Sequence, residues 1–168
     1  INNATSGTIT LNDASVALSG SSADITAALN GITNYTGNVT LSDAHTLAQL
    51  KAINNAGSGS ITLNDASVAL SGSSADIAAA LTGITSYTGT ATLNDNHSLS
   101  ELVTINNATS GNITLNSNAV ALTGSTSDVK AALAGNVGAS YTGNIVLNDA
   151  DNTSIAAADI TTIESDTT

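Results

Sequence analysis

A six-residue pattern of alternating polar and aliphatic positions occurs six times along the chain. Each copy reads Ser or Thr, Gly, a polar residue, an aliphatic residue, usually Thr, and Leu. The aliphatic residue and the Leu fall on one face of an extended segment and the polar residues fall on the other, which is the period of a half-buried strand. The pattern therefore predicts six strands, one for each copy. The copies occupy residues 6–11, 36–41, 58–63, 88–93, 110–115 and 142–147.

The spacing of the copies shows that the sequence repeats. Their glycines are separated by 30, 22, 30, 22 and 32 residues, so the period is 52 residues and consists of a long half and a short half. We divide the chain into repeat 1 (1–52), repeat 2 (53–104) and a degenerate repeat 3 (105–168) of one continuous array. Because Ile1–Ala4 matches Ile53–Ala56, we expect the first repeat to begin within a unit. The glycines are Gly7, Gly37, Gly59, Gly89, Gly111 and Gly143.

A helical pattern follows each strand pattern. In the long half, Ser21 and Asp24 have the spacing of a helix capping box, and they are followed at intervals of three and four by an aliphatic stripe of Ile25, Ala28, Leu29 and Ile32. Gly31 stands where a left-handed C-terminal cap belongs. In the short half, Thr46 and Gln49 form the capping pair of an aliphatic stripe at intervals of three, which consists of Leu47, Leu50, Ile53 and Ala56. The sequence thus predicts a short helix after each strand pattern. It also predicts a second, very short strand in the long half, over residues 15–18, which stops at Gly20.

Strands separated by helices are expected to be parallel and joined by right-handed crossovers. The fold class that we predict is α/β, a right-handed repeat solenoid of parallel strands and short helices with about two rungs per 52-residue repeat and six rungs in all. The alternative is an all-β helix, which would need strand patterns where the capping boxes occur.

Composition and charge limit the partners of the chain. Thirteen acidic residues oppose two lysines, no arginine is present, and the net charge is −11. Proteins that bind nucleic acid or anionic membranes normally have the opposite charge. No apolar run approaches the length of a membrane span, and the absence of Cys excludes disulfides and thiolate metal sites. An acidic array rich in Gly, Ser, Thr and Asn favours an extracellular or cell-surface location.

The sequence contains no combination of residues typical of an active site. Serine is abundant, but neither histidine lies near a distinctive serine and arginine is absent. We therefore expect no enzyme activity and no cofactor other than Ca²⁺.

The polar face of the strands is the first candidate surface. Stacked strands would place the central threonines in one uncharged lattice, which is the kind of surface that binds ice or a crystalline polysaccharide. The alternative is a solvent-exposed face stabilised by side-chain ladders. The residues of this lattice are Thr10, Thr40, Thr62, Thr92 and Thr114.

Aspartates occupy one position just after the strands. Stacked at sheet spacing, they would repel by roughly 1 kcal/mol for each adjacent pair, so we expect something to offset the repulsion. Bound Ca²⁺ is one solution. The other is hydrogen bonding to turn amides or helix N-termini without a metal. The residues are Asp13, Asp43, Asp65, Asp95 and Asp149, with Ser117 as the exception.

The histidines and tyrosines also recur with the repeat. His45 and His97 are 52 residues apart, each just before a helix, and without a third ligand they make a poor metal site. We expect them to cap helices or lie on the surface. Tyr35, Tyr87 and Tyr141 are expected to pack as a column, with a platform for stacking on carbohydrate as the alternative.

The run 47–56 (LAQLKAINNA) followed by 58–66 (SGSITLNDA) resembles tandem repeats of giant secreted surface proteins of bacteria, of adhesin-like type, particularly those of marine cyanobacteria. The resemblance covers essentially the whole chain and implies an extracellular, non-enzymatic, adhesive or structural role. The Leu, Leu, Ile stripe also resembles leucine-rich repeats, although the consensus Asn and constant length of that family are absent.

Self-assembly is the remaining expectation. A solenoid that starts and stops within a unit exposes a strand edge at each end, and such edges are templates for further strands. The sequence therefore predicts head-to-tail fibres of the chain with itself, or continuation as a longer rod.

Overall fold

The protein is α/β. A computed structural model describes residues 9–167 except positions 33, 58, 85, 138, 139 and 152. Eight short strands and six helices occur in this part of the chain. In order they are β1 (Leu18–Gly20), α1 (Ser22–Leu29), β2 (Val39–Leu41), α2 (Leu47–Ala56), β3 (Ile61–Thr62), β4 (Leu70–Gly72), α3 (Ser74–Leu81), β5 (Ala91–Leu93), α4 (Leu99–Ala108), β6 (Ile113–Thr114), β7 (Leu122–Gly124), α5 (Thr126–Leu133), β8 (Ile145–Leu147) and α6 (Ala157–Ser165).

The strands form three small parallel sheets, in the orders β1-β2-β3, β4-β5-β6 and β7-β8. The predicted parallel direction is therefore confirmed. Within each sheet, consecutive strands are joined through one helix. A helix supplies the length that a parallel crossover needs.

The sheets are separate at two places. The connection from β3 to β4 (residues 63–69) and that from β6 to β7 (residues 115–121) contain no helix, and neither pair of strands is hydrogen-bonded. We call these two places the sheet breaks. Helices pack across them, because α2 contacts α3 and α4 contacts α5. Side-chain packing therefore continues where the backbone ladder stops.

The predicted helix starts are confirmed. The Ser21 hydroxyl accepts the backbone N–H of Asp24 at 3.1 Å and donates to the Asp24 carboxylate. Reciprocal capping boxes begin α2, with Thr46 and Gln49, and α4, with Ser98 and Glu101. These hydrogen bonds satisfy N–H groups that have no partner inside the helix.

The predicted helix ends are confirmed as well. Gly31, Gly83 and Gly135 have φ of +78°, +76° and +41°, in the left-handed region that favours glycine. Each follows the C-cap residue of an eight-residue helix. The glycines therefore stop the helix and turn the chain toward the next strand.

The core consists of the aliphatic stripes of the helices packed on the inner face of the strands. In α2, Leu50, Ile53 and Ala56 are buried as predicted. Ile53 and Ala56 pack in one cluster with Val39 and Leu41 of β2, whereas Leu50 packs in the cluster that contains the buried residues of α3. Each fully buried Leu, Ile or Val contributes roughly 1.5–3 kcal/mol. Ala28, predicted to belong to the stripe of α1, is exposed.

Two strand predictions need correction. The first copy of the strand pattern lies partly outside the described residues, and its positions 9–11 are not in a strand. The equivalent segments β3 and β6 are strands, and they pair with β2 and β5. The second strand of the long half is Leu18–Gly20 rather than residues 15–18, and Val16 is exposed.

The number of strands in a period agrees with the prediction. Each 52-residue period from β1 to β4 and from β4 to β7 contains three strands, and the two strands of the long half pair with different neighbours. The six helices exclude the all-β alternative. No helix in the described ranges has the length and apolarity needed to cross a membrane.

The C-terminal region departs from the pattern, as expected for a degenerate repeat. Helix α6 begins after Ala156, which makes no side-chain cap hydrogen bond. Ile163 is buried, but Ile155 is exposed.

Candidate functional site

The outer face of the strands carries short rows of exposed hydroxyl groups. Thr40 lies opposite Thr62 on β3 and opposite Ser19 on β1, and all three side chains are exposed. The residues on either side of Thr40 are buried, so the strand has one buried face and one solvent-exposed face. The second sheet repeats this row with Ser71, Thr92 and Thr114.

The predicted threonine lattice is therefore divided. Thr40 and Thr62 are neighbours, as are Thr92 and Thr114, but the two pairs belong to different sheets. Thr10 is exposed and outside any strand. Sequence reasoning missed Ser19 and Ser71, which complete the rows, and Thr123, which lies opposite Val146 on β8. Their signal is the Leu-Ser-Gly or Leu-Thr-Gly triplet before each long-half helix.

The predicted aspartate register divides into two groups with different partners. In the first group, Asp13 accepts the backbone N–H of Ser15 at 2.9 Å and its hydroxyl at 2.6 Å, and Asp65 does the same with Ser67. These hydrogen bonds hold the pKa of both carboxyls below the usual value. Ser117 takes this place after the fifth copy of the strand pattern, and its hydroxyl accepts the N–H of Ala119. The group stabilises turns.

The second group of aspartates binds the first N–H of a neighbouring helix. Asp43 accepts the N–H of Ser22 at 2.7 Å, at the start of α1, and Asp95 accepts that of Ser74 at the start of α3. Asp149 accepts the N–H of Thr126, at the start of α5. A carboxylate at a helix N-terminus is favourable because it satisfies unpaired donors and the helix dipole. These aspartates therefore join consecutive segments.

Buried hydroxyl groups strengthen the same junctions. The Ser22 hydroxyl donates to the side-chain oxygen of Gln49 in α2 at 3.2 Å, and the Ser74 hydroxyl donates to Glu101 in α4 at 3.0 Å. Both serines are 1% exposed. Gln49 and Glu101 are also the capping-box residues of their own helices, so one side chain fixes both helices of a pair at their N-terminal ends.

Asparagines join the next pair of helices at the opposite end. The Asn54 amide of α2 donates to three carbonyl oxygens at the end of α3, those of Ala79, Ala80 and Thr82, at 2.7–3.2 Å. The Asn106 amide of α4 does the same at the end of α5. The identical Ile-Asn-Asn-Ala runs were a signal for this role, but the chain alone does not say which carbonyls lie nearby.

The two lysines of the chain also link helices. Lys51 of α2 pairs with Asp76 of α3, and Lys130 of α5 pairs with Asp159 of α6. The side chains are about one-third exposed or more, at 34–43%. Partly exposed ion pairs contribute little to stability. The two lysines therefore favour one pairing of helices over others more than they stabilise the fold.

The expectation that the histidines cap helices or lie on the surface is wrong. His45 and His97 are each 3% exposed. The His45 ring lies 6.0 Å from the Tyr87 ring, and the His97 ring lies 5.8 Å from the Tyr141 ring, measured between centroids. The neighbours of both histidines in the sequence are polar, but in the folded chain a tyrosine ring packs against each imidazole.

Burial lowers the pKa of both histidines, and nearby carboxylates oppose the change only in part. The opposing groups are Asp65 and Asp43 for His45, and Glu101 and Asp95 for His97. Neither ring nitrogen of His45 has a hydrogen-bond partner. Charged imidazole is therefore unfavourable at both positions.

The three tyrosines are buried and tied to the backbone. Tyr35, Tyr87 and Tyr141 donate their hydroxyls to the carbonyl oxygens of Val16, Val68 and Val120. Burial raises the pKa of Tyr87 and Tyr141 to about 12. Rings at most 3% exposed cannot stack on a sugar, so the alternative of a carbohydrate platform is wrong.

The described residues do not assemble an obvious reactive site. A groove of about 580 Å³ between α1 and α2 is lined mainly by small aliphatic residues and by no ionisable side chain. Within the described ranges, no three His, Asp or Glu side chains group so that they could hold a metal ion. The polar chemistry of this part of the chain therefore lies in junctions between neighbouring segments and in the exposed hydroxyl rows.

The chain matches no protein-family model, and neither a curated protein nor a solved structure shows significant similarity to it.

Proposed function

We propose that the chain is a non-catalytic structural segment of an extracellular surface, matrix or filament protein. Its three repeats stack as a right-handed solenoid, and the segment acts as a spacer or fibre-forming element. The observation that carries the proposal is that each helix is tied to the next by polar side chains.

The junctions alternate in a way that suits an array. Asp43, in the connection from β2 to α2, binds the N-terminus of α1, and Asn54 of α2 binds the C-terminal end of α3. Asp95 and Asn106 repeat both contacts 52 residues later. Stability in such an array is a sum over units and nearest-neighbour interfaces, so a further period adds a further set of the same contacts.

Removing one whole period tests this architecture. Deletion of residues 57–108 joins Ala56 to Thr109 and recreates the local sequence found at 105–112. A repeat array tolerates this change because every lost interface is replaced by an equivalent one. We expect a cooperatively folded chain, with helix content and urea unfolding as the readouts.

The matched control removes residues 57–96, which is not a whole period. This deletion joins α2 directly to His97 and leaves Asn54 without its helix end. We expect it to abolish cooperative unfolding. The repeat architecture is refuted if the 57–108 deletion unfolds as completely as the control.

Self-association end to end belongs to the same proposal. Parallel strands at the edge of a sheet are templates for another chain, and β1 and β8 each have one described strand partner. A head-to-tail contact that does not close gives filaments. Light scattering and negative-stain microscopy of the 168-residue chain should show concentration-dependent rods, and a monodisperse monomer at high concentration would refute self-association.

A second candidate function is adhesion through the hydroxyl rows. Ser19, Thr40 and Thr62 lie side by side on adjacent strands, which are spaced at about 4.8 Å. An uncharged, regularly spaced row of this kind suits ice or a crystalline polysaccharide. Thermal hysteresis and polysaccharide co-sedimentation are the measurements.

Substitutions in the rows separate the two candidates. Thr40→Lys with Thr92→Lys places a charge in the centre of both rows, and should abolish any binding. Thr161→Lys with Thr162→Lys, at exposed positions of α6, is the matched control. Binding that survives the first pair would show that the rows form a solvated surface only.

Calcium stabilisation of the spacer is a variant of the proposal. Asp13 and Asp65 use Oδ1 for both of their hydrogen bonds to serine, and carboxylate oxygens are good Ca²⁺ ligands. Binding only to the folded chain must raise its melting temperature. A melt that is the same in millimolar Ca²⁺ and in chelator would leave these aspartates with a structural role alone.

A further inference from the structure

The two buried histidines lie at the two sheet breaks. His45 follows β2 of the first sheet, whereas its partner Tyr87 precedes β5 of the second. The Tyr87 hydroxyl donates to the carbonyl of Val68, within the connection between β3 and β4. The histidine and tyrosine rings therefore meet where no backbone ladder joins the sheets.

The second break repeats this arrangement of rings, but one isolated backbone bridge crosses it, in which the Ile113 N–H of β6 donates to the Asn136 carbonyl oxygen at 2.6 Å. His97 follows β5, and its partner Tyr141 precedes β8 of the third sheet. Tyr141 donates its hydroxyl to the carbonyl of Val120, within the connection between β6 and β7. Both sheet breaks are thus filled by one imidazole, one phenol and one backbone carbonyl.

The hydrogen bonds assign the tautomer of His97. Because the Tyr141 hydroxyl donates to Val120, its oxygen accepts the hydrogen of His97 Nε2, which lies 2.9 Å away. The Nδ1 atom of His97 is then the unprotonated nitrogen, and it is buried without a partner. A second proton would have to sit on Nδ1, where no acceptor receives it.

His45 has even fewer hydrogen-bond partners for a protonated imidazole than His97. Both of its nitrogens are buried without a hydrogen-bond partner. Asp43 and Asp65 are the charged groups that act on it, and their carboxylates bond to Ser22 and Ser67 instead of the ring. The side chains facing His97 are Tyr141, Glu101 and Asp95.

We propose that the two sheet breaks are acid-sensitive joints: protonation of His45 and His97 separates neighbouring sheets while strand pairing within each sheet persists. Neutral imidazole fits the breaks, and imidazolium must leave them to be solvated. The chain would then be stiff at neutral pH and jointed in mildly acidic surroundings, with the His45 joint opening first.

Paired spin labels test the joints, since the chain has no native cysteine. Cysteines at Ala48 in α2 and Ala75 in α3, both exposed, report across the first break. Cysteines at Ala23 in α1 and Ala48 report within the first sheet. From about pH 7.5 to about pH 5, we expect the first distance to lengthen and the second to stay constant.

The double variant His45→Gln, His97→Gln removes both imidazoles and should keep the first distance constant over the same range. In the native chain, the melting temperature should fall by roughly 5 °C more than in the variant. A native chain whose label distances and melting temperature stay constant to about pH 5 overturns the proposal without reference to any variant. So does simultaneous lengthening of both distances, which is global unfolding.

Discussion

The side-chain amide of Asn106 donates to the carbonyl oxygen of Ala132 at 3.1 Å, and to two further carbonyls at the end of α5. The final residues of a helix leave carbonyl groups without intrahelical partners. The two hydrogens of one amide from the neighbouring helix contact three of them, with one hydrogen shared between two carbonyl oxygens. Helix packing and helix capping are thus the same interaction at this junction.

Replacing this amide by a carboxylate should separate the two helices. In Asn106→Glu, the side chain can no longer donate and faces carbonyl oxygens at the negative end of a helix. We expect a loss of about 3 kcal/mol in the free energy of unfolding, measured in urea. Asn107→Glu, the exposed neighbour with the same charge change, should cost no more than about 0.5 kcal/mol. Equal losses would show that charge, and not the cap, determines the result.

The two groups of aspartates should respond differently to truncation. Asp95→Ala removes the acceptor for the first N–H of α3 and should cost about 1 kcal/mol, the usual value of a helix cap. Asp65→Ala removes the acceptor of an exposed turn and one of the charges that act on His45, and should cost less than Asp95→Ala. Urea unfolding of both variants decides the order. A larger loss for Asp65→Ala would contradict the assignment.

Alkaline conditions should weaken the fold through the buried tyrosines. The pKa of Tyr87 and Tyr141 is raised to about 12 from the ordinary value of 10.0, so the unfolded chain ionises first. The tyrosine contribution is complete below about pH 10 and is lost as the pH rises toward 12. Urea unfolding between about pH 8 and about pH 11 should show falling stability.

The variant Tyr87→Phe, Tyr141→Phe is the control for this alkaline effect. It loses both hydroxyls at every pH, but it should show a flatter pH dependence above pH 10 than the native chain. The two tyrosines are not responsible if both chains have the same slope.

Close backbone approach should make one glycine far less replaceable than another. A Cβ on Gly111 would lie 2.3 Å from the carbonyl oxygen of Gly89, which is backbone and cannot move alone. A Cβ on Gly72 would meet only the end of the flexible Leu47 side chain. We expect Gly111→Ala to destabilise the fold by more than about 2 kcal/mol, and Gly72→Ala by about 1 kcal/mol. Thermal melts of the two variants give the ranking, and equal effects would contradict the backbone clash.

Local features of the fold could be predicted from the sequence because their partners are only a few residues away. Thr46 caps α2 together with Gln49, three residues later. Gly31 adopts a positive φ because glycine has no Cβ that would clash in this conformation. The buried stripe of Leu50 and Ile53 follows from helical spacing alone. Each of these features depends on residues within about one helical turn of each other in the sequence.

The partners of the aspartates and histidines depended on the tertiary structure. Asp13 and Asp43 follow similar strands, yet one binds a serine two residues away and the other binds a helix 21 residues earlier. His45 is buried because Tyr87, 42 residues later, packs against it.

The repeating sequence by itself determined the α/β class, the parallel direction of the strands and the start and end of most helices. Only the tertiary structure decided that the strands divide into three sheets. Both strands of the long half have the alternating polar and apolar pattern, but β3 pairs with β2 and β4 pairs with β5. The tertiary structure also decided that Asn54 caps the end of α3, and that a histidine fills each sheet break. Such contacts join residues 25–44 positions apart, and periodicity along the chain cannot specify them.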